Sequence, residues 1–265
     1  MYLPLTKKLQ NITNKISSYS AIVVILIIWQ LLSFTEVIPK YMLPSPIDVV
    51  RAFILDFPLL MHHAKITLVE AFFGLCLGVL LGFIVAVLMD RFQSVYKAIY
   101  PILIITQTIP TVAIAPLLVL WLGYGMTPKV TLIVIVTFFP ITIGLLNGFL
   151  SADQDTINLL RSMKASKGQI FRHIKLPSSM SHFFSGLKIS ASYSVVGAVI
   201  SEWLGGFSGL GVYMIRVKKS YSFDKMFAVI LLISIISLLL MGGVTALQKI
   251  SMPWTKKVND LQKQL

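Results

Sequence analysis

Two carboxylates interrupt apolar stretches of this chain, Glu70 and Glu202. A charge within such a stretch is costly unless it is paired or reaches an interface, so both are candidates for a gate or solute path, Glu202 above all. Gln107 and Thr108 stand just before Pro110. The missing proline N–H frees backbone carbonyls, and such a break is tolerated where it lines a cavity, so this pair is a second path candidate. His62 and His63 are adjacent and cannot both face one ion from a regular helix. No His-Glu-x-x-His or Cys-His cluster accompanies them, so no metal site is expected. No Ser-His or Asp-Asp arrangement offers a nucleophile, and no catalytic residue is expected. The chain has no Gly-rich phosphate loop, so ATP-driven work would need another polypeptide. The only cysteine, Cys76, lies in an apolar run and reads as a small buried side chain.

The elements that must position these groups follow from composition. Of 265 residues, 56% are apolar and 12% charged, whereas soluble domains are roughly a quarter charged. A hydrocarbon core about 30 Å thick needs roughly 20 apolar residues per helical crossing. Runs of that kind predict an all-α polytopic membrane protein with about six transmembrane helices, at residues 20–34, 68–89, 100–122, 129–150, 187–204 and 226–247. Residues 1–19 and 251–265 then flank a transmembrane region over 20–250. An even number of spans leaves both termini on one side. That side holds the larger share of Lys and Arg and is therefore cytoplasmic. The net charge of +13 is distributed between apolar runs rather than gathered on a soluble face, which favours the lipid bilayer over nucleic acid as its counterpart. The first apolar run lacks a small-residue cleavage site and is expected to be retained as a span.

Three segments between the spans carry information. Leu43-Pro44-Ser45-Pro46 predicts a rigid turn leading into a short surface helix. Gly205, Gly206, Gly209 and Gly211 predict tight turns beyond the fifth span. The stretch 151–186 is far longer than a usual helix connection. Ser151 with Gln154, and Ser166 with Gln169, have capping-box spacing, which predicts short helices over 152–163 and 167–174, the second stopped by Pro177. In that second helix Ile170, Phe171 and Ile174 share a face among Lys167, Arg172 and Lys175, an apolar knob that either docks on a partner or lies on anionic lipid. Gly74, Gly78 and Gly82 repeat every fourth residue, favouring close helix approach within one chain.

From Asn158 to Pro177 the residue order resembles the cytoplasmic loop signature of ABC importer permeases: Glu-Ala-Ala, three residues, Gly, nine residues, Ile, one residue, Leu-Pro. The second half is intact, ending in Ile174 and Leu176-Pro177. In the first half Asn158, Leu159 and Leu160 replace Glu-Ala-Ala, and Lys164 replaces the glycine, where a left-handed residue would cost about 1 kcal/mol or more. Gln107-Thr108-Ile109-Pro110, Trp121-Leu122-Gly123, Gly186-Leu187-Lys188-Ile189, and Glu202-Trp203 followed by Gly209-Leu210-Gly211 are similar to the permeases of the sulfonate, taurine, nitrate and thiamine-pyrimidine-precursor importers. This resemblance implies the type I importer permease fold in the inner membrane of a bacterium. It also implies a coupling segment, Ala165, Ser166, Lys167, Gln169, Ile170, Phe171, Ile174, Leu176 and Pro177, seated in a separate ABC ATPase. A second permease copy and an external solute-binding protein would complete the importer. No cofactor belongs to this chain, and ATP is used by the ATPase partner. The Glu-Trp before the glycine-rich loop favours a pyrimidine-type thiamine precursor as the solute, with aliphatic sulfonate, taurine or nitrate as alternatives. Ion-coupled secondary transport and intramembrane catalysis are the competing classes; the first would show matching halves.

Overall fold

The computed structural model describes residues 20–253 except Ile22, Glu36, Val37 and Lys40, so the expected terminal segment 1–19, and all of the expected segment 251–265 but its first three residues, lie outside the described residues. The apolar runs become helices: α1 (Val23–Phe34), α2 (Pro46–Leu55), α3 (Phe57–Arg91), α4 (Gln93–Thr106), α5 (Thr111–Leu122) and α6 (Met126–Leu150). After α6 come α7 (Gln154–Ser162), α8 (Lys167–Ile170), a π-type turn over Phe171–Lys175, α9 (Leu176–Gly205), α10 (Leu210–Lys219) and α11 (Phe223–Ser251). No strand occurs among the described residues.

Four helical stretches are long and apolar enough to cross a bilayer: Phe57–Arg91, Met126–Leu150, Lys167–Leu204 and Phe223–Ser251. The expected span at 100–122 is not one straight helix. It is broken at Gln107-Thr108-Ile109-Pro110 into α4 and α5, which meet at 104° and make a fifth crossing if taken together. Pro110 cannot donate a backbone hydrogen bond and biases Ile109 away from helical geometry, which accounts for the break. The first expected span corresponds to α1, shorter than the roughly 20 residues of a full crossing.

The described residues form two compact units, those up to Leu60 with Met214–Leu231, and Met61–Tyr213 with those from Leu232 onward. Within the first, the Leu43-Pro44-Ser45-Pro46 turn leads into α2 as expected. Ser45 and Asp48 form a reciprocal capping box, and Trp29 Nε1 donates to Pro44 O at 3.0 Å. Val49, Ala52 and Ala228 form its core beside Trp29 and Phe227, and Lys225 pairs with Asp56 at 2.8 Å.

In the second unit, small residues set the helix spacing. Cβ atoms added at Gly74, Gly78 and Gly82 would fall 2.3, 2.2 and 2.9 Å from side chains of Ile133, Thr137 and Ile141, so this stripe serves packing of α3 on α6 within one chain. Gly148 and Gly186 bring α6 and α9 into backbone contact: added Cβ atoms would meet Ser179 Cα at 2.5 Å and Pro140 O at 2.4 Å. Cys76 is exposed on the outer side of α3 rather than buried. On a helix surrounded by lipid an outward thiol meets an apolar medium, so periodicity in a run apolar all round does not single out the inward face.

Candidate functional site

The segment between α6 and α9 is built from its caps. Ser151 does not form the expected box with Gln154; it remains in the last turn of α6, its hydroxyl donating to Gly148 O at 3.0 Å. Asp153 caps α7 instead, accepting from the amides of Asp155 at 3.3 Å and Thr156 at 3.1 Å and from the Thr156 hydroxyl. These bonds, led by the Thr156 hydroxyl, hold the Asp153 carboxyl below its ordinary range. The far end of α7 closes with Lys164 at φ 60°. The Lys164 amide donates to Arg161 O and that of Ala165 to Leu160 O, each at 2.9 Å, the bond pair of a Schellman turn in which glycine is favoured at this position. Lys164→Gly should therefore relieve roughly 1 kcal/mol of backbone strain, offset in part by the freer unfolded chain. A rise of about 1–3 °C in the thermal midpoint of the purified protein is expected.

At α8 the second expected box is present: Ser166 Oγ accepts from Gln169 N at 3.3 Å, and Gln169 Oε1 from Ser166 N at 2.7 Å. Pro177 does not end the helix that follows. The wide turn over Phe171–Lys175 closes with Leu176 N–H bonded to Phe171 O. This looser turn just ahead of Pro177 tolerates its missing donor, and helix runs without interruption from Lys167 to Leu204.

The apolar knob expected to face outward is turned inward. Ile170 is buried with Ala152 and Ile157, and Ile174 packs on the same cluster. The Phe171 ring lies 5.2 Å from that of Phe149, and Leu176 joins the same core. Substituting Phe171 thus tests packing of the segment rather than docking on it. Ser166, Lys167, Gly168, Gln169, Arg172, His173 and Pro177 are the exposed residues here, and Ala165 is half-buried. Two large apolar side chains of the preceding turn also face out, Leu159 at 62% exposure and Met163 at 70%. They are four residues apart, one in the last turn of α7 and one at its C-cap, so they share a face, and Leu159 stands in the degenerate half of the signature.

The break between α4 and α5 opens onto a cleft of about 280 Å³, lined by Thr106, Gln107, Ile109 and Thr111 from the broken span, Ile135 and Val136 from α6, and Tyr193, Val196, Gly197 and Ile200 from α9. No charged side chain is among its lining residues. Of the expected path residues only Gln107 lines it. Thr108 is exposed, its hydroxyl turned back to Ile105 O at 2.8 Å.

Glu202 is instead fully buried at the end of α9. It accepts from Thr67 Oγ at 2.7 Å through one oxygen and from Gly211 N at 2.6 Å through the other. Thr67 Oγ accepts from Leu210 N at 2.9 Å, and His63 Nδ1 accepts from Gly209 N at 3.0 Å. The glycine-rich loop thus folds around the carboxylate: an added Cβ at Gly209, where φ is 126°, would lie 2.2 Å from it. Nearby, buried Glu70 pairs with buried Lys129 at 2.6 Å. That pair was not read from the sequence, although both residues begin spans expected to start on the same side.

The sequence profile of the family described as "Binding-protein-dependent transport system inner membrane component" matches residues 78–256. The Formylaminopyrimidine transport permease protein ThiX of Halalkalibacterium halodurans is 36% identical, over 88% of this chain and 93% of its own length. A probable ABC transporter permease protein of Haemophilus influenzae is 38% identical, over 82% of this chain and 89% of its own. In fold, the chain is similar to a chain of the inward facing MetNI methionine ABC transporter, with a TM-score of 0.65 and 20% identity over 74% of this chain and 97% of that one. A set of apolar crossings, one of them broken over an uncharged cleft, and a capped, inward-packed segment between α6 and α9 agree with these likenesses, and the chain belongs to the binding-protein-dependent inner membrane components as an ABC importer permease.

Proposed function

We propose that two copies of this chain form the path for a pyrimidine-type thiamine precursor, received from an external binding protein and moved by ATPase subunits docked on the segment between α6 and α9. In this reading both termini and that segment face the cytoplasm, as the distribution of Lys and Arg favours. The observation that carries it is the unbroken helix Lys167–Leu204. Its first turns present the outward residues from Lys167 to His173, and further along it supplies Tyr193, Val196, Gly197 and Ile200 to the cleft. At 1.5 Å per residue, the stretch from His173 to Tyr193 spans about 30 Å, roughly one hydrocarbon core. Motion imposed at one end reaches the cleft through a single rigid element.

Ile170, Phe171, Ile174 and Leu176 hold this segment to the rest of the chain, while Lys167, Gln169, Arg172, Leu159 and Met163 meet the ATPase. Gln107 is a path residue, and Glu202 positions the glycine-rich loop outside. A neutral solute suits the cleft: the Gln107 amide offers a donor and an acceptor to an aminopyrimidine edge, and Tyr193 offers an aromatic face. A sulfonate or nitrate would call for a cationic partner, and none lines it. The name of the ThiX relative points the same way. Uptake of taurine or an alkanesulfonate, with none of a labelled formylaminopyrimidine, would overturn this choice of solute.

Docking is tested by Leu159→Asp combined with Met163→Asp. Both side chains are exposed, so membrane insertion should be unaffected. Losing two apolar contacts of about 1.5–3 kcal/mol each should lower ATPase copurification by two orders of magnitude or more. Lys167→Gln should be mild, because an exposed ion pair contributes about 0–1 kcal/mol. Normal insertion of the double variant with its ATPase retained and parental transport would remove this face from the coupling assignment.

A further inference from the structure

We propose that the cavity between the end of α3 and the α7–α8 turn binds a phosphate group, that of an anionic phospholipid of the inner leaflet. Its placement on that leaflet rests on the cytoplasmic orientation proposed above. The cavity encloses about 630 Å³ and is lined by Val87, Asp90 and Arg91 of α3, Arg161 of α7, and Lys167, Phe171 and Lys175 of the segment that follows. Four cations face a single carboxylate, and that carboxylate is already engaged, Lys175 Nζ lying 2.6 Å from Asp90 Oδ1. Membrane sidedness accounts for the sign of these charges, but not for their convergence on one concave surface. The left-handed turn at Lys164 reverses the chain between Arg161 and Lys167 and brings both to the same cavity.

A lipid fits better than a soluble phosphate because of what leads into the cavity. Leu81, Ile84, Leu88 and Arg91 follow one another at helical spacing on α3, and all four are exposed. They form an apolar stripe that ends, one turn on, in a cation lining the cavity. An acyl chain lying along Leu81, Ile84 and Leu88 would carry its phosphate to Arg91, with Val87 and Phe171 covering the glycerol. A guanidinium fork matches phosphate oxygens in pairs, and two arginines are present. Gly168 also lines the cavity, and an added Cβ there would meet nothing nearer than Ser166 Oγ at 4.0 Å.

Native mass spectrometry of the full-length permease, titrated with phosphatidylglycerol, phosphatidylcholine or glycerol 3-phosphate, tests this. Phosphatidylglycerol should be retained in clear preference to phosphatidylcholine. Arg91→Gln with Arg161→Gln, both at exposed positions, should weaken phosphatidylglycerol by on the order of thirtyfold, at about fivefold per cation removed. Phosphatidylcholine retention and the thermal midpoint should not change. Gly168→Glu, which adds a carboxylate to the cavity lining, should reduce the preference in the same way. Equal retention of the two lipids, or a preference that survives the double substitution, would overturn the site. Glycerol 3-phosphate binding as tightly as the lipid would assign the cavity to soluble phosphates and overturn the lipid. Lost ATPase copurification with unchanged lipid preference in the double variant would assign these arginines to the ATPase interface instead. Because lipid retention is read on the permease alone, its failure is separable from failure of the docking reading.

Discussion

Replacing Lys129 with Met should destabilise the permease by about 3–5 kcal/mol, the cost of leaving a buried carboxylate without its counter-charge. Lys129 and Glu70 are each about 5% exposed, with Nζ to Oε1 at 2.6 Å. Among the described residues the second Glu70 oxygen has no hydrogen-bond partner, so the ammonium is the carboxylate's one direct polar contact there. Restoring neutrality by combining Lys129→Met with Glu70→Leu should recover most of the loss, because a buried ion pair exchanged as a whole for apolar side chains is often neutral or stabilising. The check is the monodisperse fraction and thermal midpoint of the single and double variants in detergent. A double variant no better than Lys129→Met would mean that the pair is held for another reason, such as its place beside the Thr67–Glu202 cluster.

Gly148→Val is expected to have the second large effect. A Cβ there would sit 2.5 Å from Ser179 Cα and 3.2 Å from His182 Cβ. The first obstacle is backbone, which cannot rotate away as a side-chain tip can, so the two helices must separate. Overpacking of this kind costs about 1–3 kcal/mol and at times more, and it also opens the layer where Ile141, Leu145 and Phe149 pack against Phe171, Leu176 and Phe183. Loss of the folded fraction together with loss of ATPase copurification is expected, since the segment proposed to dock the ATPase is held by that same layer. Gly168→Ala, at an open position, is the matched control and should behave as the parent. A Gly148→Val protein with parental stability would show that α6 and α9 can move apart at no cost.

What the sequence determined by itself is what depends on local order. Long apolar runs require helices wherever water is absent, because each backbone amide must be satisfied within its own segment. The turn at Leu43-Pro44-Ser45-Pro46, the Ser166–Gln169 box and the glycine turn before α10 follow from neighbours within a few positions, and all three are in the structure. Pro110 and the Gln107-Thr108 pair before it likewise mark the place where the third crossing breaks, though not its 104° bend.

The tertiary structure decided which way each face turned. The run Ile170, Phe171 and Ile174 is apolar whether it meets a partner or its own chain, and only the presence of Phe149, Ala152 and Ile157 shows that it turns inward. In a helix apolar all round, hydropathy does not separate lipid from protein, which is why Cys76 proved exposed. The hold of Glu202 on Thr67 and Gly211 joins residues separated by 135 and 9 positions, and Lys129 finds Glu70 across 59. Pairings of this kind leave no trace in local pattern, since their energy comes from burying polar groups together, and that burial exists only once the helices have packed.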